Sequence, residues 1–189
     1  NGQDTGEIYM LYGRTTITPT SSSSSVLPFP GNVIDFKQVS PDLTIVGNDA
    51  FDLLGYSLAS ADVNNDGISD IITGAIGANT NQDSSGEAYV IFGLSSYLAN
   101  HIIDLNLVSP NIKFIGRSSF DLLGNAVAAG DLNMDNIADV IVGSPGAGLT
   151  LVSSGEAYAV YGRTNFSSNF IVDLNSADII VSGKRSSDY

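Results

Sequence analysis

Asp62, Asn64, Asp66 and Asp70 stand at positions 1, 3, 5 and 9 of the stretch Asp62-Val63-Asn64-Asn65-Asp66-Gly67-Ile68-Ser69-Asp70. Side-chain oxygens at that spacing form a ligand set for a hard divalent cation, which takes six to eight oxygens at roughly 2.3–2.6 Å. Three carboxylates, one amide oxygen and the backbone carbonyl of Ile68 at position 7 supply most of such a shell, and water supplies the rest. At an offset of 69 residues the pattern returns as Asp131, Asn133, Asp135 and Asp139, with Ile137 at position 7. The expectation is two Ca²⁺ sites, one per copy. Gly67 at position 6 suits a sharp turn with positive φ, and Asn136 in the second copy is the non-glycine residue that tolerates this conformation best.

An EF-hand is excluded by spacing, since it needs a bidentate Glu at position 12 between flanking helices. Position 12 here is Thr73 or Val142. Dockerin-type loops fail in the same way. Each turn instead leads into a short run, Asp70-Ile71-Ile72-Thr73-Gly74 or Asp139-Val140-Ile141-Val142-Gly143. Such β-branched runs ending in Gly read as strands. The competing reading is an Asx-rich turn that binds nothing, because Asp, Asn and Gly dominate turns for other reasons. Four liganding positions recurring in register are more than turn chemistry requires.

The elements that position these turns are themselves repeated. Gly47, Phe51-Asp52-Leu53-Leu54-Gly55 matches Gly116, Phe120-Asp121-Leu122-Leu123-Gly124; Gly86-Glu87-Ala88-Tyr89 matches Gly155-Glu156-Ala157-Tyr158; and Asp104-Leu105-Asn106 matches Asp173-Leu174-Asn175. A constant offset over a whole unit signals stacked supersecondary modules. Each unit offers four strands: Leu53 to Ala61 (Leu122 to Gly130), Asp70 to Ala75 (Asp139 to Ser144), Glu87 to Phe92 (Glu156 to Tyr161), and Ile103 to Ile115 (Ile171 to Val181) with a possible break near Ser109-Pro110. Glu7 to Tyr12 and Val33 to Val46 are then strands three and four of an earlier unit. Residues 15–30 form a Ser/Thr/Pro-rich insert, read as a long loop. The expected organisation is half a unit over 1–46, full units over 47–115 and 116–183, and the start of another at 184–189. No segment has convincing helical periodicity.

Composition agrees with an all-β domain of many turns: 189 residues, 20 Gly, no Trp, and apolar residues in short bursts. With 20 Asp+Glu against 7 Lys+Arg the formal charge is −13, which makes nucleic acid an unsuitable partner. There is no Cys, so redox compartment cannot be read from disulfides. Low-affinity calcium turns suit a calcium-rich exterior, where sites of about 10⁻⁴–10⁻³ M fill. No apolar run approaches the roughly 20 residues that a membrane-spanning helix needs. A start at Asn1-Gly2-Gln3-Asp4, without Met, suggests a mature or excised segment.

Four strands per repeat, with small residues where sheets approach, suggest β-propeller blades. Phe92-Gly93, Tyr161-Gly162 and Tyr12-Gly13, taken with Gly74-Ala75-Ile76 and Gly143-Ser144-Pro145, resemble the two halves of the FG-GAP repeat. That repeat builds the β-propeller of integrin α subunits and of other surface proteins. The resemblance covers nearly the whole chain outside the insert. It departs from the family pattern where Asn136 replaces Gly and Ile76 replaces Pro. It implies that the calcium turn joins the first two strands of a blade at one end of the propeller and stiffens that hairpin. It also implies that protein or glycan ligands approach the opposite end, here Gly77 to Ser85, Gly146 to Ser154, and the turns Asn48 to Asp52 and Arg117 to Asp121. Long polar loops on a rigid scaffold suit recognition, and equally suit a solvated connection.

Propellers close with about 4–8 blades, and two and a half leave apolar faces uncovered at both ends. Three outcomes are open: a segment of a longer propeller, ring closure by several copies, or a self-assembling subunit of an extracellular filament or surface layer. Catalysis is the rival class. His101 is the only histidine and falls in a linker without a reactive partner nearby in sequence. Gly55-Tyr56-Ser57-Leu58-Ala59 departs from the serine-hydrolase elbow Gly-x-Ser-x-Gly and lies in an expected strand; the copy has Ala126 for the serine. Glu87 and Glu156 open strands and are expected to bond to a neighbouring turn, so no active site is indicated. FG-GAP propellers also accompany catalytic domains, such as phospholipase D-type enzymes acting on glycosyl-phosphatidylinositol, and a non-catalytic accessory domain of a secreted hydrolase is the alternative. Arg14 and Arg163, after the Tyr-Gly of strand three, are expected to pair with loop acids. Asn165-Phe166-Ser167 is a sequon for N-glycosylation in a secreted eukaryotic protein. The expected function is adhesion, recognition or surface scaffolding by an extracellular, calcium-binding propeller segment.

Overall fold

The computed structural model describes residues 5–11, 36, 39–96, 100–148 and 153–184; the 15–30 insert, Tyr12-Gly13 and Arg14 lie outside them. Within the described residues the regular structure is twelve strands and one 3₁₀ turn. Strands β1 (Glu7–Met10) and β2 (Leu43–Val46) pair antiparallel as the half-blade. In the first blade β3 (Leu54–Ala61), β4 (Asp70–Ala75), β5 (Glu87–Ile91) and β7 (Ile112–Ile115) pair antiparallel in that order. In the second, β8 (Ala126–Gly130), β9 (Asp139–Ser144), β10 (Glu156–Val160) and β12 (Ile179–Ser182) do the same. This is the all-β, four-stranded blade architecture.

The fourth strand differs from its expected form. The stretch from Ile103 to Ile115 is two strands serving two sheets. Its first part, β6 (His101–Asp104), runs parallel to β2 and extends the half-blade. Only its second part, β7, belongs to the first blade. Likewise β11 (Phe170–Val172) runs parallel to β7, before β12 returns to the second blade. Each connection from strand three to strand four therefore reaches back and adds a strand to the preceding sheet, the third of the half-blade and the fifth of the first blade. Asp104-Leu105-Asn106 and Asp173-Leu174-Asn175 are the return points. In each, the Asp carboxylate accepts the N–H of the Asn two residues on, an Asx turn, while the Leu is buried. His101 thus opens a strand, opposite Leu43, and is not in a linker.

Two apolar layers lie between successive sheets. Ile8, Leu43, Ile45, Leu54, Ala75 and Tyr89 fill one; Val63, Ile72, Val90, Phe114, Val140 and Tyr158 belong to the other. Strands β4 and β5 are covered on both faces, so they read as continuous apolar runs. Two glycines mark a close approach of the sheets. A Cβ on Gly74 would overlap the carbonyl oxygen of Gly124, and Ser57 Oγ donates to that same oxygen at 2.7 Å. Gly124 itself has φ 85°, open to glycine at no steric cost.

Candidate metal centre

The nine-residue turns lie where β3 passes into β4 and β8 into β9, so each closes the hairpin between the first two strands of a blade. In the first turn, Asp62 accepts the N–H groups of Asp66 (3.1 Å) and Gly67 (2.8 Å). Asn64 Oδ1 accepts Asp66 N–H at 2.9 Å, and Asp66 Oδ1 accepts Ile68 N–H at 2.8 Å. Asp70 is fully buried; it accepts Val63 N–H and Gly93 N–H, each at 2.9 Å. The second turn repeats this scheme. Asp131 accepts Asp135 and Asn136, Asn133 accepts Asp135, Asp135 accepts Ile137, and Asp139 accepts Leu132 and Gly162.

Positive φ occurs at position 6, Gly67 (84°) and Asn136 (67°), as expected, and also at position 4, Asn65 (59°) and Met134 (66°). Two left-handed residues in one short bend wrap the backbone around its own carboxylates. The Phe-Gly and Tyr-Gly dipeptides after strand three have a specific task here. A Cβ on Gly93 would strike Ser69 and Ile68, and one on Gly162 would strike Ala138 and Ile137. Lacking it, each glycine brings its N–H to the position-9 carboxylate.

The donor set fits a hard divalent cation. Asp62, Asn64, Asp66 and Asp70, or Asp131, Asn133, Asp135 and Asp139, offer hard oxygens from one bend, and among the described residues no N–H meets the carbonyl of Ile68 or Ile137. No Lys or Arg pairs with these carboxylates among the described residues. Burial lifts the Asp70 carboxyl above the usual carboxylate range; the Gly93 and Val63 N–H groups oppose this, and Asp66 and Asp62 add to it. The acidic side chains are held by their own backbone, and among the described residues no three of them form a preassembled metal cluster.

The end opposite these turns is cross-braced. Phe120 N–H donates to Asp83 carbonyl (3.0 Å), Leu122 N–H to Ser84 carbonyl (3.3 Å), and Ser119 Oγ to Gln82 Oε1 (2.9 Å). The loop after β4 and the turn before β8 therefore share one end of the blades, as expected; residues 149–152 of the matching second loop lie outside the described residues. Beneath this end sit buried acids whose counter-charges sequence reasoning missed. Glu87 pairs with Lys113 Nζ at 2.9 Å and accepts the Tyr89 hydroxyl. Glu156 pairs with Arg117 and accepts the Tyr158 hydroxyl. Burial pushes both phenols up. Among the described residues Arg163 meets no loop acid; its guanidinium lies over the rings of Phe166 and Phe170.

A model of the FG-GAP repeat matches residues 54–91 and again 123–161. The chain contains two FG-GAP repeats. The first match ends before Phe92-Gly93 and the second includes Tyr161 but not Gly162, so Leu54-Gly55 and Leu123-Gly124, at the blade contacts, open the matched FG-GAP segments instead. Phosphatidylinositol-glycan-specific phospholipase D of Bos taurus is 33% identical over 111 residues, covering 58% of this chain and 13% of that protein. The protein of the same description from Dictyostelium discoideum is 28% identical over 171 residues, 90% of this chain and 17% of its own length. Integrin alpha pat-2 of Caenorhabditis elegans is 37% identical over 114 residues, 57% of this chain and 9% of its own. The chain thus spans less than a fifth of each of these relatives. Among the described residues no helix is long and apolar enough to cross a membrane.

Proposed function

We propose that this chain is a Ca²⁺-stabilised segment of an extracellular FG-GAP propeller, with one ion per nine-residue turn. It serves adhesion, recognition or surface scaffolding and performs no chemistry of its own. The observation that carries the reading is the duplicated bend, with the same hydrogen-bond scheme and left-handed residues at the same positions. Asp62, Asn64, Asp66, Asp70 and the Ile68 carbonyl would hold one ion; Asp131, Asn133, Asp135, Asp139 and the Ile137 carbonyl the other. The ion supplies charge compensation and pins the hairpin. Protein or glycan ligands would use the cross-braced end, since rigid loops opposite the ions are pre-organised for binding.

The outward face of the second blade supports partnership with further repeats or with another copy. Gly143, the counterpart of Gly74, lines an open groove of about 350 Å³ with Ala126, Gly155 and Val181, where the first blade instead receives Gly124. The phospholipase D relatives, matched over a small part of their length, support a second reading as a non-catalytic accessory domain of a secreted hydrolase. Asn165, exposed in a turn, would be the glycosylated residue in a eukaryotic secretory host.

Calcium dependence of stability tests the proposal. Adding Ca²⁺ to 100 times its Kd raises stability by about 2.7 kcal/mol per site. Asp66→Ala or Asp135→Ala should remove one site's share and leave the melting temperature in chelator nearly unchanged. Equal loss with and without chelator would show that these carboxylates only brace the turn.

A further inference from the structure

The two turns are in direct contact. Ala138 N–H donates to the carbonyl of Asp62 at 3.3 Å, and Arg163 N–H donates to the carbonyl of Val63 at 3.0 Å. Both donors adjoin groups that shape the second turn. Ala138 lies between Ile137 and Asp139, and Arg163 comes directly after Gly162, whose N–H holds Asp139 at 2.9 Å. A Cβ on Gly162 would stand 3.0 Å from the Val63 carbonyl oxygen, so the glycine is wedged between the two bends. The side chain of Val63 is buried in the layer that also contains Val140 and Tyr158 of the second blade. Positions 1 and 2 of the first turn thus share one strip of backbone with position 8 of the second and with the Gly162-Arg163 segment that holds its position 9.

We infer that ion binding at the two turns is energetically coupled through this strip; the inference rests on the calcium reading above. An ion on Asp62 orders the peptide units at 62 and 63. Those carbonyls then fix the N–H groups of Ala138 and Arg163, and with them the clamp on Asp139. The second ion meets a turn already ordered, so less conformational entropy is lost when it binds. Coupling of this kind is reciprocal: each ion favours the other by the same factor.

The experiment uses the whole chain and three proteins: the parent, Asp66→Ala and Asp135→Ala. Each substitution removes a ligand that lies off the shared strip. Ca²⁺ titration by calorimetry gives the affinity of the surviving site, and ¹⁵N–¹H spectra track the amides of Ala138 and Arg163. The surviving site in each variant should bind about fivefold or more weakly than the same site in the parent. In Asp135→Ala, where only the first turn can fill, both amides should shift with the titration. If either variant fails to fold, the Asn substitution at the same position takes its place. Affinities that differ less than twofold from the parent in both variants would overturn the coupling, whatever the amides do. A parent that binds no Ca²⁺ would overturn the calcium reading and the coupling with it.

Discussion

Val63 and Leu132 hold the same place in the two turns and meet opposite fates. Val63 is fully buried, whereas Leu132 is 46% exposed. Burying such a side chain stabilises by about 1.5–3 kcal/mol, so the first turn anchors a neighbouring sheet and the second anchors only its own. The same contrast runs along the blades. Gly74 touches Gly124, while Gly143 faces an open groove. One repeat shows what the other is prepared for: identical local chemistry becomes a joint only where another sheet is present.

The buried acids differ in a second way. Glu87 takes its cation from Lys113, across the ladder in its own sheet, opposite Tyr89. In the second blade that ladder position is Ile180, opposite Tyr158, and the cation comes from Arg117 in the turn that enters the blade. Both solutions satisfy the same need, since a carboxylate out of water must be paired. They use different parts of the repeat to do so.

Substitution at the paired glycines should break the contrast most strongly. Gly74→Ala forces a methyl into the Gly124 carbonyl and should cost about 3 kcal/mol, read as a lower urea midpoint. Gly143→Ala, whose Cβ has no neighbour nearer than 3.6 Å, should change stability by less than about 1 kcal/mol. Equal effects would mean that the first two blades do not meet as described.

Next in size is a pH effect in the first blade. Burial lifts the Asp52 carboxyl from 3.8 to about 6; the Asp49 N–H opposes the shift, and Asp49 and Glu87 add to it. The folded protein therefore holds this proton more tightly than the unfolded chain. The contribution is fully present below pH 3.8 and is lost as pH rises through about 6. It should amount to about 2 kcal/mol between about pH 4 and 7, and Asp52→Asn should remove it from the pH profile of the urea midpoint.

The smallest effects sharpen the comparison of the turns themselves. Met134 is 89% exposed with φ 66°, where the first turn has Asn65. Met134→Asn should stabilise by about 1 kcal/mol and Asn136→Gly by about 0.5 kcal/mol, because both residues tolerate the left-handed region better than those they replace. A lowered melting temperature in either would contradict the backbone described for the second bend.

Much of this was readable from residue order. The bends, the hairpins they close and strand three depend on contacts within a few residues: an Asp reaching N–H groups four or five positions on, then a β-branched run. The splitting of the fourth strand was not readable, because Ile102 and Ile171 find their hydrogen-bond partners in the preceding repeat. Ser109-Pro110 marked the break without saying which sheet each half would join. The cations also escaped notice, since Lys113 and Arg117 are far in sequence from Glu87 and Glu156, and neither repeats.

Local chemistry, written in the chain, determined the ligand-bearing turns and their duplication, for a nine-residue bend is built from side chains that reach their own backbone. Only the tertiary structure decided which apolar residue became core, which glycine became a joint, and which cation served each buried carboxylate. Those outcomes depend on what lies across the gap between two sheets. An offset of 69 residues states that the sheets are alike but not how they meet.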